Sequence, residues 1–339
     1  MKIAIHHKIN SFSEYWIDYC IRNGISFKLV DAYKNDIIHQ VSDCDIFMFP
    51  IFHFDYRDML YAKQLLLCIE KMGKVVFPDF NSAWHFDDKV GQKYLLESIN
   101  APLVPSYVFY TQKEALSWIN TTLFPKVFKL RSGAGSSNVK LVANKRKAKI
   151  LIYKAFKRGF PQFDRIGYLK EKIRQFNEKQ ETFWGIIKGI VRLFVQTKFS
   201  KMYSKEKGYI YFQNFIPYNN YDIRIIVIGE KAIAIKRMVR KNDFRASGSG
   251  HVIYLKEFID INCIRISFDI SEKLNCLCMS YDFVFENNKP FLVEMSYGFV
   301  KKIYDHCDGY WTKDLIWHNE KVVSMVWIME ELINKFYRK

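Results

Sequence analysis

Strand-like and helix-like apolar patterns alternate from the start of the chain. Lys2–His6 is a short apolar strand, residues 14–22 have helical spacing, and Ser26–Val30 reads as a second strand. Residues 45–49 predict a third strand, 57–71 a helix and 74–77 a fourth strand. Strands separated by helices of this length argue for a parallel sheet with right-handed crossovers. No glycine-rich turn follows the first strand, and Ile5-His6-His7-Lys8 does not permit the close backbone approach of a dinucleotide site. The opening residues lack the long apolar stretch and small-residue cleavage site of a signal peptide.

Further on, a helix over residues 112–119 leads to a strand at 124–130, a Gly/Ser loop and a strand at 139–142. Residues 209–216, 223–228, 231–238, 276–285 and 291–295 read as mostly antiparallel strands, with Gly229-Glu230 and Asn287-Asn288-Lys289-Pro290 as turns. A last helix from about Lys313 would set Val322, Val326, Met329, Ile333 and Phe336 on one core-facing side.

Composition narrows the class. Of 339 residues 49% are hydrophobic, enough for a large core in more than one lobe. No apolar run is long enough to cross a bilayer. Seven scattered cysteines fit reduced thiols in a cytoplasm, and Cys276-x-Cys278 has no second pair to complete a zinc site. Lys and Arg number 52 against 35 Asp and Glu, a net charge of +17. Such a balance raises nucleic-acid binding, but no helix-turn-helix, zinc finger or aromatic nucleoprotein motif is present. An anionic substrate explains the charge equally well.

The first stretch with chemistry is Lys126-Val127-Phe128-Lys129-Leu130-Arg131-Ser132-Gly133-Ala134-Gly135-Ser136-Ser137. Small residues let backbone N–H groups converge on an anion, and a lysine on the preceding strand can reach the same phosphates. It is not a Walker A loop, because no Gly-Lys-Ser/Thr follows and the next element is a strand. Around it stand Asp87-Asp88-Lys89 opening a helix, Gln213-Asn214-Phe215-Ile216-Pro217, and Tyr221-Asp222-Ile223-Arg224. Then come Lys236-Arg237 on a strand, Asp243-Phe244-Arg245 entering a Ser/Gly loop, Tyr281-Asp282-Phe283, and Val293-Glu294-Met295-Ser296.

This ordered series, spanning residues 82–298, resembles the ATP-grasp superfamily of carboxylate–amine ligases, nearest the ribosomal-protein glutamate ligases and the bacterial polysaccharide-cluster ATP-grasp proteins. The resemblance implies mixed α/β and α+β architecture. The expected parts are an N-terminal half-Rossmann lobe over residues 1–80, a small α+β lobe over 81–152, a basic helical insertion over 153–208 and a large antiparallel-sheet lobe over 209–339. It implies ATP and Mg²⁺ as cofactors. Lys89 and Lys129 would meet the α- and β-phosphates, with Ser132, Gly133, Gly135 and Ser136 as the cradle. Gln213, Phe215 and Ile216 would hold adenine, Asp222 the ribose, and Lys236 the nucleotide from the next strand. Arg224, Arg237 and Arg245 would surround the transferred phosphoryl group. Strand alternation sends Lys236 and Arg237 to opposite faces, so at most one faces the site. Asp282 and Glu294 would bind the metal, with Ser296 where the family usually carries asparagine.

The insertion holds fourteen Lys/Arg against five Asp/Glu. Phe183, Trp184, Ile187, Ile190, Val191, Phe194 and Val195 follow helical spacing with Lys188, Arg192 and Gln196 opposite. That helix either lies on an anionic membrane or partner, or packs on its own domain with a solvated basic face. The Gly185-x-x-x-Gly189 spacing carries no weight outside a membrane helix. The expected function is ATP-dependent amide formation through an acyl phosphate, with a cell-surface polysaccharide or its precursor as the acid. Alternatives are an amino-acid ligase acting on a protein or peptide, and a nucleotide-binding protein without catalysis. The expected place is the cytoplasm, at the inner face of the membrane if the insertion docks there.

Overall fold

The computed structural model describes residues 1–133, 138–178, 181–195, 198–202, 204–240, 243–246 and 248–339, with Lys198 and Phe199 by backbone alone. Strands β1 (Lys2–His6), β2 (Ser26–Val30), β3 (Ile46–Met48) and β4 (Val75–Phe77) form a parallel sheet in the order β2-β1-β3-β4. Parallel neighbours need crossovers, which capped helices supply. Helix Phe12–Arg22 starts at Ser11, whose hydroxyl accepts the Ser13 N–H, and helix Tyr56–Lys71 starts at Asp55, whose carboxylate accepts the Arg57 N–H. Ile3, Ile5, Ile46, Phe47 and Met48 are wholly buried, as strands covered on both faces require.

A second sheet is antiparallel. It contains β5 (Ser106–Phe109), β6 (Lys126–Lys129), β7 (Lys140–Val142) and β8 (Ile210–Asn214) in the order β5-β8-β6-β7. Strand β8 therefore comes from beyond the expected lobe boundary at 208/209, because Ile210 and Phe212 complete a separate core with Phe128 and Ile152. The basic insertion leaves and re-enters this smaller lobe instead of linking two lobes. Helix Lys145–Phe156, which begins at the Asn144 cap, closes the same core with Ala148, Ile152 and Ala155.

The third sheet holds β9 (Tyr221–Ile228), β10 (Lys231–Met238), β11 (Val252–Ile253), β12 (Cys278–Glu286), β13 (Lys289–Ser296), β14 (Tyr310–Thr312) and β15 (Trp317–His318). Its order is β13-β12-β9-β10-β14-β15, with β11 also on β10. Helix Ile261–Leu274 buries Cys263, Ile264 and Phe268 against it. One hydrophobic core runs from this sheet into the N-terminal one. Across that junction the Tyr297 hydroxyl donates to the Ile51 carbonyl at 2.7 Å.

The last helix is Ser324–Tyr337 and does not begin near Lys313. The aromatic run Tyr310-Trp311 and Trp317 makes an edge hairpin instead, with the Trp311 and Trp317 rings 4.4 Å apart. The helix buries Met325, Ile328, Met329 and Leu332, whereas Val326, Ile333 and Phe336 are only partly covered and Val322 is buried just ahead of it. All seven cysteines are free thiols. Among the described residues no helix is long and apolar enough to cross a membrane.

Candidate functional site

The second and third sheets, with the segments that follow β1 and β3 of the first, line one cleft of about 950 Å³. On its large-sheet wall Asp282 pairs with Glu294 across the β12–β13 ladder, and the register shifts directly after Asp282. Both carboxylates line the cleft. Arg224 lies opposite Asp282 on β9 and grips it through Nε and Nη2, the second bond 2.6 Å long. Arg237 lies opposite Asp222 and donates from Nε and Nη2 to its two oxygens at 2.7 and 2.6 Å. The same Nη2 is 3.0 Å from Asp282 Oδ2. Two cations and two anions in one network can be buried together, whereas any one alone could not. Burial pushes the Asp282 carboxyl up, but Arg224 and Arg237 outweigh it and hold it below the usual range. Burial also raises Asp222, and there Arg237 offsets only part of the effect.

Two lysines face this wall. Lys89 opens helix Lys89–Ser98, where the Asp88 cap accepts the Gly91 N–H at 2.9 Å. Its Nζ donates to the Gly133 carbonyl at 2.8 Å and lies 3.1 Å from Glu294 Oε1. Burial works against this ammonium, but Glu294 and Asp87 prevail and its pKa is raised. Lys129, at the end of β6, donates instead to the neutral Gln213 Oε1 at 2.7 Å. With no carboxylate in contact among the described residues, burial pushes Lys129 down to about 8. Glu294 and Asp282 favour its charge from a distance without offsetting the burial.

The remaining expected residues divide. Phe215 and Ile216 line the cleft, with the Phe215 ring edge-on to Phe244 at 5.7 Å. The Gln213 amide is committed to Lys129 and, through Nε2, to Ser106 Oγ at 3.0 Å. Arg245 lines the cleft from the loop after β10 and pairs with Asp243 at 2.6 Å. Ser296 also lines it, but its hydroxyl is turned to the backbone of Gly298 at 3.2 Å. Lys236 is a correction. It leaves the strand on the far face and stacks over Tyr221, 3.8 Å from the ring centroid. Arg237 takes the site face because Asp222 stands opposite it in the ladder. Ser132 is a second correction, since it does not line the cleft and both its hydroxyl and N–H are directed at Glu206. Gly133 does line the cleft, with its N–H on Asp87 at 2.8 Å. Gly135 and Ser136 lie outside the described residues.

Several lining residues were given no role from the sequence. Asp87 sits in a left-handed conformation (φ 53°), and burial lifts its carboxyl to about 6. His53, between Phe52 and Phe54 after β3, is pushed down to about 4 by burial and then by Lys89, so it is neutral near pH 7. Lys8 and Lys302 also line the cleft, and Lys302 has no acidic partner among the described residues. The signal for the loop after β3 was topological, because ligands gather beyond the carboxyl ends of parallel strands.

Magnesium that keeps its phosphate and water ligands needs one or two carboxylates. Glu294 fits, with one oxygen near Lys89 and a third of its side chain exposed (33%). Asp282 faces it but has both oxygens on arginine, and no cluster of three or more His, Cys, Asp or Glu forms among the described residues. The donor set suits an ion held mainly by phosphates, with Glu294 first and Asp282 second.

No family model matches the sequence, and no curated protein matches it. Solved structures do. The chain is similar to a RimK domain protein ATP-grasp from Sphaerobacter thermophilus at 13% identity, TM-score 0.54, covering 89% of this chain and 94% of that one. It is similar to D-alanine–D-alanine ligase from Bacillus anthracis at 13% identity, TM-score 0.59, covering 100% and 99%. A third is the ATP-grasp ligase PsnB, complexed with minimal precursor, Mg and ADP, at 10% identity, TM-score 0.56, covering 99% and 98%. The chain has the ATP-grasp fold.

Proposed function

We propose that this protein is an ATP-dependent carboxylate–amine ligase. The observation that carries the reading is the convergence of Lys89, Lys129, Glu294 and the Arg224–Asp282–Arg237–Asp222 network on one cleft. The nucleotide phosphates would lie between the two lysines, with adenine along residues 213–216. Lys129 suits this because a buried ammonium with only a neutral partner gains most from an incoming polyanion. Each Asp222 oxygen accepts one bond from Arg237 and keeps a lone pair for a ribose hydroxyl, so the residue can both aim that arginine and meet the sugar. Magnesium, held by Glu294 and Asp282, would neutralise charge on the polyphosphate.

In the first step a substrate carboxylate oxygen bonds to the γ-phosphorus, the bond to the β-bridging oxygen breaks, and ADP leaves. An amine then bonds to the acyl carbon and phosphate departs with the electron pair of the broken C–O bond. Loss of a proton from nitrogen leaves the amide. Arg224, Arg237 and Arg245 would stabilise the negative charge in both steps, the main contribution a protein makes to phosphoryl transfer. Lys302 in the cleft lining supports an anionic acid, for which a polysaccharide or its precursor is the proposed class. The likeness to a D-alanine–D-alanine ligase supports the rival amino-acid substrate. Phosphate release from Mg-ATP that requires both a carboxylate and an amine tests the reading. Nucleotide binding without release under any such pairing would favour the reading without catalysis.

A further inference from the structure

The insertion emerges as a helical hairpin that does not bury the apolar side of its second helix on its own domain. Helix Phe183–Phe194 turns its glycines inward: Gly185 and Gly189 are its buried positions. A Cβ on Gly189 would come within 2.8 Å of Leu169 Cδ1 and 3.4 Å of its Cα on helix Arg165–Asn177, so the glycine lets the two helices approach closely. At the other end Arg165 Nη1 donates to the Leu193 carbonyl at 2.9 Å. The large side chains consequently face out. Trp184 is 70% exposed and Phe194 79%, with Phe183, Ile190 and Val191 also exposed on the same side.

Charge is sorted as well. The helix contains no acidic residue, and Lys188 and Arg192 have no acidic partner among the described residues. The hairpin's own acids are used elsewhere. Glu171 and Glu178 hold Arg174, Glu181 holds Lys172, and Asp164 caps the first helix. Glu171 also binds Arg240 at 2.8 Å, and Arg174 donates to the Gly248 carbonyl at 3.0 Å. The hairpin is thus tied to the loop that carries Phe244 and Arg245 into the cleft, so its outer face has a set relation to the site.

We infer that the outer face of helix Phe183–Phe194 docks this protein onto an anionic lipid bilayer. The helix is about 18 Å long and would lie in the interface plane. Tryptophan, phenylalanine and branched aliphatics suit the headgroup–acyl boundary, while Lys188 and Arg192 reach anionic headgroups. A second copy of the chain fits less well, because the segment's fourteen cations against five acids would be brought together with their like. A nucleic acid fits less well too, since Ile190, Val191 and Val195 offer it neither stacking nor hydrogen bonds.

Co-sedimentation with vesicles of phosphatidylglycerol and phosphatidylcholine tests this, and it needs neither nucleotide nor catalysis. Wild-type protein should pellet at low salt, bind phosphatidylcholine alone far more weakly, and dissociate as salt is raised. Its tryptophan emission should shift to the blue, and Trp184→Phe should abolish most of that shift while leaving binding largely in place. Lys188→Glu with Arg192→Glu should weaken binding at least about tenfold. Lys188 is exposed and Arg192 half-buried, and a retained melting temperature separates lost docking from lost folding. Three results would each overturn the inference: no sedimentation at low salt, equal binding to neutral vesicles, or pelleting with an unshifted Trp184 signal. A wild-type dimer that buries Trp184 in solution would overturn it as well.

Discussion

Lys129 gives a sharp quantitative expectation. Its ammonium is buried with a pKa near 8, against 10.5 for an unperturbed lysine. Above about pH 8 the folded protein releases this proton while the unfolded chain keeps it, so stability rises with pH until the unfolded lysine also titrates. Integrated from about pH 7 to 9.5, the gain is about 2 kcal/mol. Other groups titrate over this range too, so the useful quantity is the difference between wild type and Lys129→Met, which shares all of them. Urea unfolding of both proteins across the range should show wild type gaining that amount on the variant. Mg-ATP should reverse the sense, because a polyphosphate favours the charged lysine. Its affinity for wild type should fall toward tenfold per pH unit above about pH 8. Parallel stability curves for the two proteins would refute the buried, uncompensated ammonium, and with it the reason for placing phosphates there.

Glu294→Gln should abolish turnover with little change in melting temperature, since it keeps the shape and removes a charge that is one-third exposed; wild-type turnover in this variant would remove the strand from the metal site. Asp282→Asn should cost about 3–5 kcal/mol in urea unfolding, because Arg224 and Arg237 would stay buried without their shared anion. Met329→Ala should cost about 2–5 kcal/mol, whereas truncating Phe336, only partly covered, should cost well under half as much.

How much of this was legible from sequence depends on whether the information was local. Lys2–His6 and Ser26–Val30 match without adjustment: the first is a nearly continuous buried run, and the second is an edge strand in which Phe27, Leu29 and Val30 stand among polar residues. The Asp282–Glu294 pair was legible because Asn287 and Asn288 both take left-handed conformations in the intervening turn. Alternation excluded one of Lys236 and Arg237, but choosing between them needed Asp222 on the neighbouring strand. Strand β8 was visible as a strand and misplaced as to lobe, since a pattern of two reports faces and not partners. The glycines of helix Phe183–Phe194 were set aside because the packing partner of Gly189, Leu169, lies on another helix. His53 and Lys302 enter the cleft through topology alone.

The central claim is that the cleft makes an acyl phosphate, and trapping with hydroxylamine tests it most directly. Hydroxylamine stands in for the amine, and a panel of carboxylates that includes uronic acids and amino acids stands in for the acid. Wild-type protein should form hydroxamate and phosphate in equal amounts only when Mg-ATP and an accepted carboxylate are both present, and Glu294→Gln should form neither. Phosphate released at the same rate without any carboxylate, or hydroxamate formed at the wild-type rate by Glu294→Gln, would contradict the account.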